Sequence, residues 1–184
     1  MTDPVQSGLV ECVAMRRGHH FSKTPALEIE LVAGLGVRGD GHFGETVQHR
    51  FDKRRAPSAA NLRQVHLIAQ ETLDGARASG FDVAPGDLGE NVTTRGLDLL
   101  ALPQRSTLAV GEAVIEVTGV REPCVQMNRF RDGLMAHFIR TGDDGRPTFT
   151  CGVMGVIIRS GSIRPGDTVS VRLPAPPYRR LTRV

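Results

Sequence analysis

The chain has 184 residues, a net charge of +3, 40% hydrophobic and 23% charged residues, a balance that excludes a disordered chain and suits one globular domain with a real core. Aromatic residues are only 4% and tryptophan is absent, so binding of single-stranded nucleic acid by base stacking is not expected. Three cysteines, Cys12, Cys124 and Cys151, lie far apart without a C-x-x-C, which describes neither a disulfide framework nor a zinc site.

The start M-T-D-P, with Asp3 and Glu11, lacks the basic and apolar runs of a secretory leader. The longest apolar stretch, Cys151 to Ile158, is far too short to span a bilayer. A cytoplasmic protein with free thiols is therefore expected, with no membrane and no nucleic-acid partner. Leu27 to Val32 alternates apolar and acidic residues and predicts a half-buried strand. Gly34 to Gly39 matches G-x-G-x-x-G, but D-G-H-F-G follows where a dinucleotide fold needs a helix. It reads better as a loop whose backbone N–H groups can approach an anion, decorated by Arg38, Asp40 and His42.

Arg50 to Asn61 is polar and aperiodic, hence an expected exposed loop. Arg63 to Ala69 predicts a strand with His66 in or near the core, and Gln70 to Ser79 a short helix stopped by Gly80. Gly86 to Leu99 gathers Asp87, Glu90, Asn91, Thr93 and Thr94 in a turn or a polar pocket wall; nothing in its composition points to a raised carboxyl pKa. Leu108 to Val120 predicts two strands joined at Val110–Ala113. Pro123 to Arg140 predicts one helix, or two broken near Gly133, with Met127, Phe130, Leu134 and Phe138 on one apolar face. Gly152 to Arg159 predicts a strand buried on both faces. A Pro-Gly turn and a strand alternating Val169, Val171 and Leu173 end the domain. The basic tail 174–184, with Arg179, Arg180 and Arg183, reads as a solvated end. Many short strands with glycine-rich corners predict a mainly β fold, a closed or nearly closed barrel with a few short helices and a core over about 27–173.

Cys124 stands out among the cysteines. Proline is favoured at the first helical position, so Pro123 is expected to open a helix with Cys124 in its first turn. Backbone N–H groups there, with Arg121 nearby, favour the thiolate, which is both nucleophile and metal ligand. Cys12 and Cys151 sit in apolar runs and read as buried small hydrophobes. The histidines show no H-x-x-x-H or H-E-x-x-H spacing.

Four blocks in order, G-V-R-G-D-G-H-F-G from Gly36, R-Q-V-H-L-I from Arg63, G-D-L-G-E-N-V-T-T-x-G from Gly86 and G-V-R-E-P-C from Gly119, together resemble the MOSC domain. That is the C-terminal domain of molybdenum-cofactor sulfurases. The closing stretch Gly155 to Asp167 fits the same pattern, and the chain looks like the short stand-alone members. The resemblance implies a β-barrel like the small barrel domain of pyruvate kinase and the handling of molybdenum cofactor (molybdopterin). It implies that Cys124 either ligates molybdenum or carries sulfur as a persulfide. Some relatives reduce N-hydroxylated bases with molybdenum, so the implied activity is that of an oxidoreductase on such compounds. The alternatives are a sulfur carrier for cofactor or metal–sulfur cluster assembly, and a non-enzymatic cofactor-binding module. Candidate cofactor-binding residues are Arg38, Gly39, Asp40, Gly41, His42, Arg121, Asn91, Thr93 and Asn128. Expected partners are a small-molecule substrate and a separate electron-donor protein or cysteine desulfurase, with a homodimer left open. Pyridoxal phosphate is not expected in this chain, only on such a desulfurase.

Overall fold

The computed structural model describes residues 6–48, 50–142 and 144–184; Asp3 and His49 lie outside them. The first half contains β1 (Ser7–Met15), β2 (Thr24–Ala26), β3 (Ile29–Val32), β4 (Gly36–Val37), α1 (Arg50–Arg55), β5 (Val65–Ala69) and α2 (Gln70–Ala78). Next come β6 (Val92–Arg95), β7 (Thr107–Val110), β8 (Ala113–Val120), α3 (Gln126–Phe130) and α4 (Leu134–His137). The chain finishes with β9 (Ile139–Thr141), β10 (Pro147–Phe149), β11 (Val153–Arg159), β12 (Gly161–Ile163) and β13 (Thr168–Arg172).

The main sheet runs β13-β7-β8-β11-β5-β6-β1, and β1 also pairs with β13, which closes a barrel and leaves no edge in the ring. All its pairs are antiparallel except β5 with β6, where α2 makes the crossover. Alternation sets what points inward. Leu108 and Val110, Ala113, Ile115 and Val117, and Val169 and Val171 are buried while their neighbours are more exposed. Burying each such large side chain contributes roughly 1.5–3 kcal/mol. A second apolar cluster lies outside the ring, where Leu73 and Ala76 of α2 meet Met127, Leu134 and Phe138.

Several expectations change in detail. The 123–140 helix is two short pieces broken at Gly133, which has φ +76°. Met127, Leu134 and Phe138 are buried as the spacing requires. α3 starts at Gln126, so Cys124 precedes the helix instead of sitting in its first turn; its carbonyl accepts from Met127 N at 2.9 Å. The 50–61 segment is not all loop but includes α1. The core begins well before residue 27, because Val10 and Val13 of β1 are buried. β11 is buried on both faces only over its first half, since Ile158 is 50% exposed. The G-x-G-x-x-G stretch forms the β3–β4 hairpin and opens no helix, as its glycine content requires.

Candidate functional site

The protein carries a cavity of about 330 Å³, within the roughly 300–1,000 Å³ range of small-molecule sites. Its walls come from distant parts of the sequence. Lys23 lies between β1 and β2, His42 after β4, Arg63 and His66 at the start of β5, Asn91 before β6, and Arg121 and Cys124 after β8.

Beneath the cavity is a buried ion pair. Lys23 Nζ lies 3.0 Å from Asp40 Oδ2, and the two side chains are 5% and 1% exposed. A lysine so deeply buried is rare without such a partner. Burial pushes the Lys23 pKa down and Asp40's charge opposes it. For Asp40, burial works upward, but His42's hydrogen bond and Lys23's charge outweigh it and hold the carboxyl well below the usual range. The carboxylate also accepts from Asn91 Nδ2 at 3.1 Å and from His42 N at 3.0 Å. His42 Nδ1 lies 3.3 Å from it, so Asp40 sets the orientation of a histidine on the cavity wall.

Asn91 is the clamp that joins these walls. Its side chain donates to Ala14 O and to Asp40, and accepts from His66 N. The turn before it is built on Glu90, whose oxygens accept from Gly86 N at 2.6 Å and Leu88 N at 3.1 Å. Glu90 is fully buried, and burial raises its pKa, contrary to the composition-based expectation; its oxygens are taken by the turn and do not face the cavity. Gly89 needs to be glycine twice over. Its φ is +82°, and a Cβ would sit 2.4 Å from Phe21 O.

The opposite wall is the stretch after β8. Arg121 N donates to Gly152 O at 3.0 Å, and the Cys151 thiol donates to Arg121 O at 3.2 Å. Burial pushes the Cys151 pKa up, which keeps that thiol protonated and able to donate. The Cys151 carbonyl in turn accepts from His66 Nε2 at 2.9 Å. His66 is buried as expected; burial and Arg121's charge hold it well below its ordinary pKa, so it is neutral. Arg121 lines the cavity, has no salt bridge among the described residues, and its Nη1 is buried with no hydrogen-bond partner. Leaving such a donor unsatisfied costs about 1–3 kcal/mol or more, which an anion in the cavity would offset.

Of the residues singled out from the sequence, Cys124, Arg121, His42 and Asn91 line this cavity, and Asp40 supports it from below. Cys124 is half-buried. Arg38 points elsewhere: its Nε pairs with Glu30 at 2.6 Å on the exposed β3–β4 hairpin. Gly39 and Gly41 spend their small size on the protein itself, since a Cβ at Gly41 would meet Gly18 O at 2.1 Å. Thr93 is buried in β6 with its hydroxyl 3.4 Å from Glu90, and Asn128 accepts from Met135 N at 2.9 Å. Sequence reading passed over Lys23, Arg63, Phe21 and Met154 in the walls. Lys23 had one available signal, scarcity: it is one of two lysines in the chain.

Among the described residues no group of three or more His, Cys, Asp or Glu side chains is disposed to hold a metal ion. No helix is long and apolar enough to cross a membrane. Among the described residues Glu122 is the one acidic side chain in the lining, and Arg183 pairs with it at 2.9 Å; with Lys23, Arg63 and Arg121 also in the walls, the lining is rich in basic side chains and has a single thiol.

No curated protein matches the chain. Among solved structures, YuaD from Bacillus subtilis superposes with a TM-score of 0.77 at 20% identity, covering 94% of this chain and 99% of its own. YiiM from Escherichia coli gives 0.57 at 20% identity, covering 95% of this chain and 72% of its own. YiiM from Geobacillus stearothermophilus gives 0.58 at 17%, with 92% and 75% covered. These likenesses describe the fold. The MOSC domain model matches residues 39–170, which include most of the barrel and both Arg121 and Cys124. With that match over most of its length and the closed barrel it folds into, the chain belongs to the MOSC domain family.

Proposed function

We propose that this chain binds a phosphate-bearing molybdenum cofactor of the molybdopterin type in the cationic cavity, with Cys124 as the protein ligand to the metal, and reduces N-hydroxylated compounds. The observation that carries the reading is Arg121, a cavity-lining guanidinium with a buried, partnerless Nη1, three residues from the cavity's thiol. The donor set fits such a group. A lone thiolate is a poor metal site by itself, so a metal here must arrive with most of its ligands already attached, and soft thiolate suits the remaining position. When bound, the cofactor supplies two-electron redox chemistry at molybdenum, fed by a separate electron-donor protein.

This chain's residues have distinct tasks in that reading. Arg121 and Lys23 hold negative charge by charge-assisted hydrogen bonds. Asp40 keeps Lys23 charged and His42 oriented. Neutral His66 adds no competing charge and fixes the Cys151 carbonyl. Cys151 and Gly152 fix the Arg121 backbone, and so the direction of the segment that ends in Cys124. A second reading, persulfide transfer through Cys124 from a desulfurase, is favoured by the half exposure of that residue, which leaves it reachable by a protein partner.

The test is metal and pterin analysis after anaerobic purification from a host that makes the cofactor. Wild type is expected to hold roughly one molybdenum per chain and Cys124→Ser to lose the metal. Arg121→Gln is expected to lose metal and pterin together. If wild type holds neither, the oxidoreductase reading is wrong. A mass gain of one sulfur atom on Cys124 in metal-free protein would instead establish the carrier.

A further inference from the structure

The basic end of the chain keeps Arg179, Arg180 and Arg183 exposed, as expected, but its backbone is docked on the barrel. Gln104 N donates to Arg179 O at 2.8 Å, Leu181 packs against the barrel core, and Val120 N donates to Thr182 O at 2.9 Å. Arg183 bridges in parallel to Val120, and its guanidinium pairs with Glu122. The segment therefore lies along the end of β8 and the residues that lead to Arg121 and Cys124.

Gly119 shows how closely it is seated. A Cβ built there would lie 2.2 Å from Thr182 O and 2.8 Å from Val184 Cγ1, and its three nearest neighbours all belong to this segment. Gly119 lies in the extended run of β8 and has no positive φ, so its own backbone does not demand glycine. The space is taken by Thr182–Val184, a strap laid along β8.

A second cavity of about 480 Å³ adjoins the first, lined by Ala56, Ala59 and Ala60 among others. Arg63 and Val184 line both cavities. Val184 is thus part of the partition between them, held in place by the docking of Thr182 on β8 and by its own side chain against Gly119.

We infer that Thr182–Val184 is a specificity-determining wall of the site: seated on Gly119, it separates the two cavities and so limits the size of what can reach Cys124. With the wall in place, a ligand beside Cys124 must fit the first cavity. With it lifted, the two spaces join and bulkier ligands gain access. The inference stands apart from the cofactor reading, because access to the thiol is measured with nothing bound.

The experiment compares two maleimides of equal chemistry and unequal bulk, N-ethylmaleimide and N-pyrenylmaleimide, on cofactor-free protein. Modification rates at Cys124 and Cys12 are followed by peptide mass spectrometry. Cys12 lies in β1, lines neither cavity and serves as the internal reference. The wild type is expected to favour the small reagent at Cys124. Gly119→Ala, which pushes the segment off β8, and Val184→Gly, which removes the side chain that seats it on Gly119, are each expected to raise the pyrenyl-to-ethyl rate ratio at Cys124 several-fold. The Cys12 ratio should not move. Far-ultraviolet circular dichroism confirms that each variant is folded, and Val184→Gly carries the test if Gly119→Ala is not. An unchanged ratio at Cys124 in the folded variants, or an equal rise at Cys12, overturns the inference.

Discussion

Asp40→Asn removes one charge from beneath the cavity and leaves almost every atom in place. The structure says this small change is expensive. The carboxylate receives Lys23 Nζ at 3.0 Å, Asn91 Nδ2 at 3.1 Å and His42 N at 3.0 Å, with Arg16 N at 3.4 Å. An asparagine has one acceptor oxygen, so its NH2 must confront donors that the second oxygen now receives. Lys23, 5% exposed at its side chain, loses its counter-charge and must either hold a buried unpaired charge or give up its proton. Breaking a buried pair from one side costs about 3–5 kcal/mol. For a chain of this size that lowers the melting temperature by about 6–20 °C, at roughly 2–4 °C per kcal/mol.

Urea and thermal unfolding at pH 7 measure the loss. Lys23→Met in the Asp40→Asn background should recover a large part of it, since the double variant buries no unpaired charge. The pH dependence adds a second check. The folded-state pKa of Lys23 is already lowered by burial and falls further once Asp40's opposing charge is gone. The folded variant then binds fewer protons than the unfolded chain between that lowered pKa and the ordinary lysine value near 10.4, so its stability rises with pH through that window. A loss below about 1 kcal/mol, the scale of an exposed pair, would refute the reasoning. So would a double variant less stable than Asp40→Asn alone.

His66 gives a pH prediction of the same sign at lower pH. Its folded pKa lies below the unfolded value near 6.5, so the stability it contributes is full above that value and is lost on acidification, at up to about 1.4 kcal/mol per pH unit. His66→Gln should flatten the slope of unfolding free energy between pH 6.5 and 5, and an unchanged slope would argue that His66 protonates in the folded state. Arg121→Met should behave oppositely to an ordinary buried substitution. It removes a guanidinium whose Nη1 has no partner, so thermal stability of the cofactor-free protein should hold or rise, while stabilisation by added molybdate or phosphate should disappear.

The barrel was legible in the sequence because its inward residues alternate. Leu108, Val110, Ile115, Val169 and Val171 are buried at the positions the period of two assigns. The break at Gly133 was legible because glycine there can adopt the left-handed conformation. The start of α3 was misplaced because proline also tolerates non-helical positions: Pro123 and Cys124 form the approach to the helix instead of its first turn. The docked strap could not be read at all, since Arg179, Arg180 and Arg183 have the composition of a solvated end and the contacts depend on Gly119, distant in sequence. Arg38 was attractive for its charge and its glycine neighbours, but Glu30 sits across the β3–β4 hairpin from it, a pairing visible only once the register is known.

The same distinction explains how the site is divided. The stretch that matches the MOSC domain supplies Asp40, Asn91, Arg121 and Cys124, the pieces that make a cationic cavity with one thiol. Lys23 and Val184 both lie outside that stretch, one before it and one after. Lys23 enters on the loop between β1 and β2, and Val184 on the strap against β8, so each completes the site from a segment fastened to the barrel. A buried lysine requires its carboxylate already in place, and a strap requires a glycine already in the strand. Both requirements are met from inside the matched stretch, by Asp40 and Gly119. The matched stretch and the segments that flank it are therefore joined at two contacts, Lys23 on Asp40 and Thr182–Val184 on Gly119.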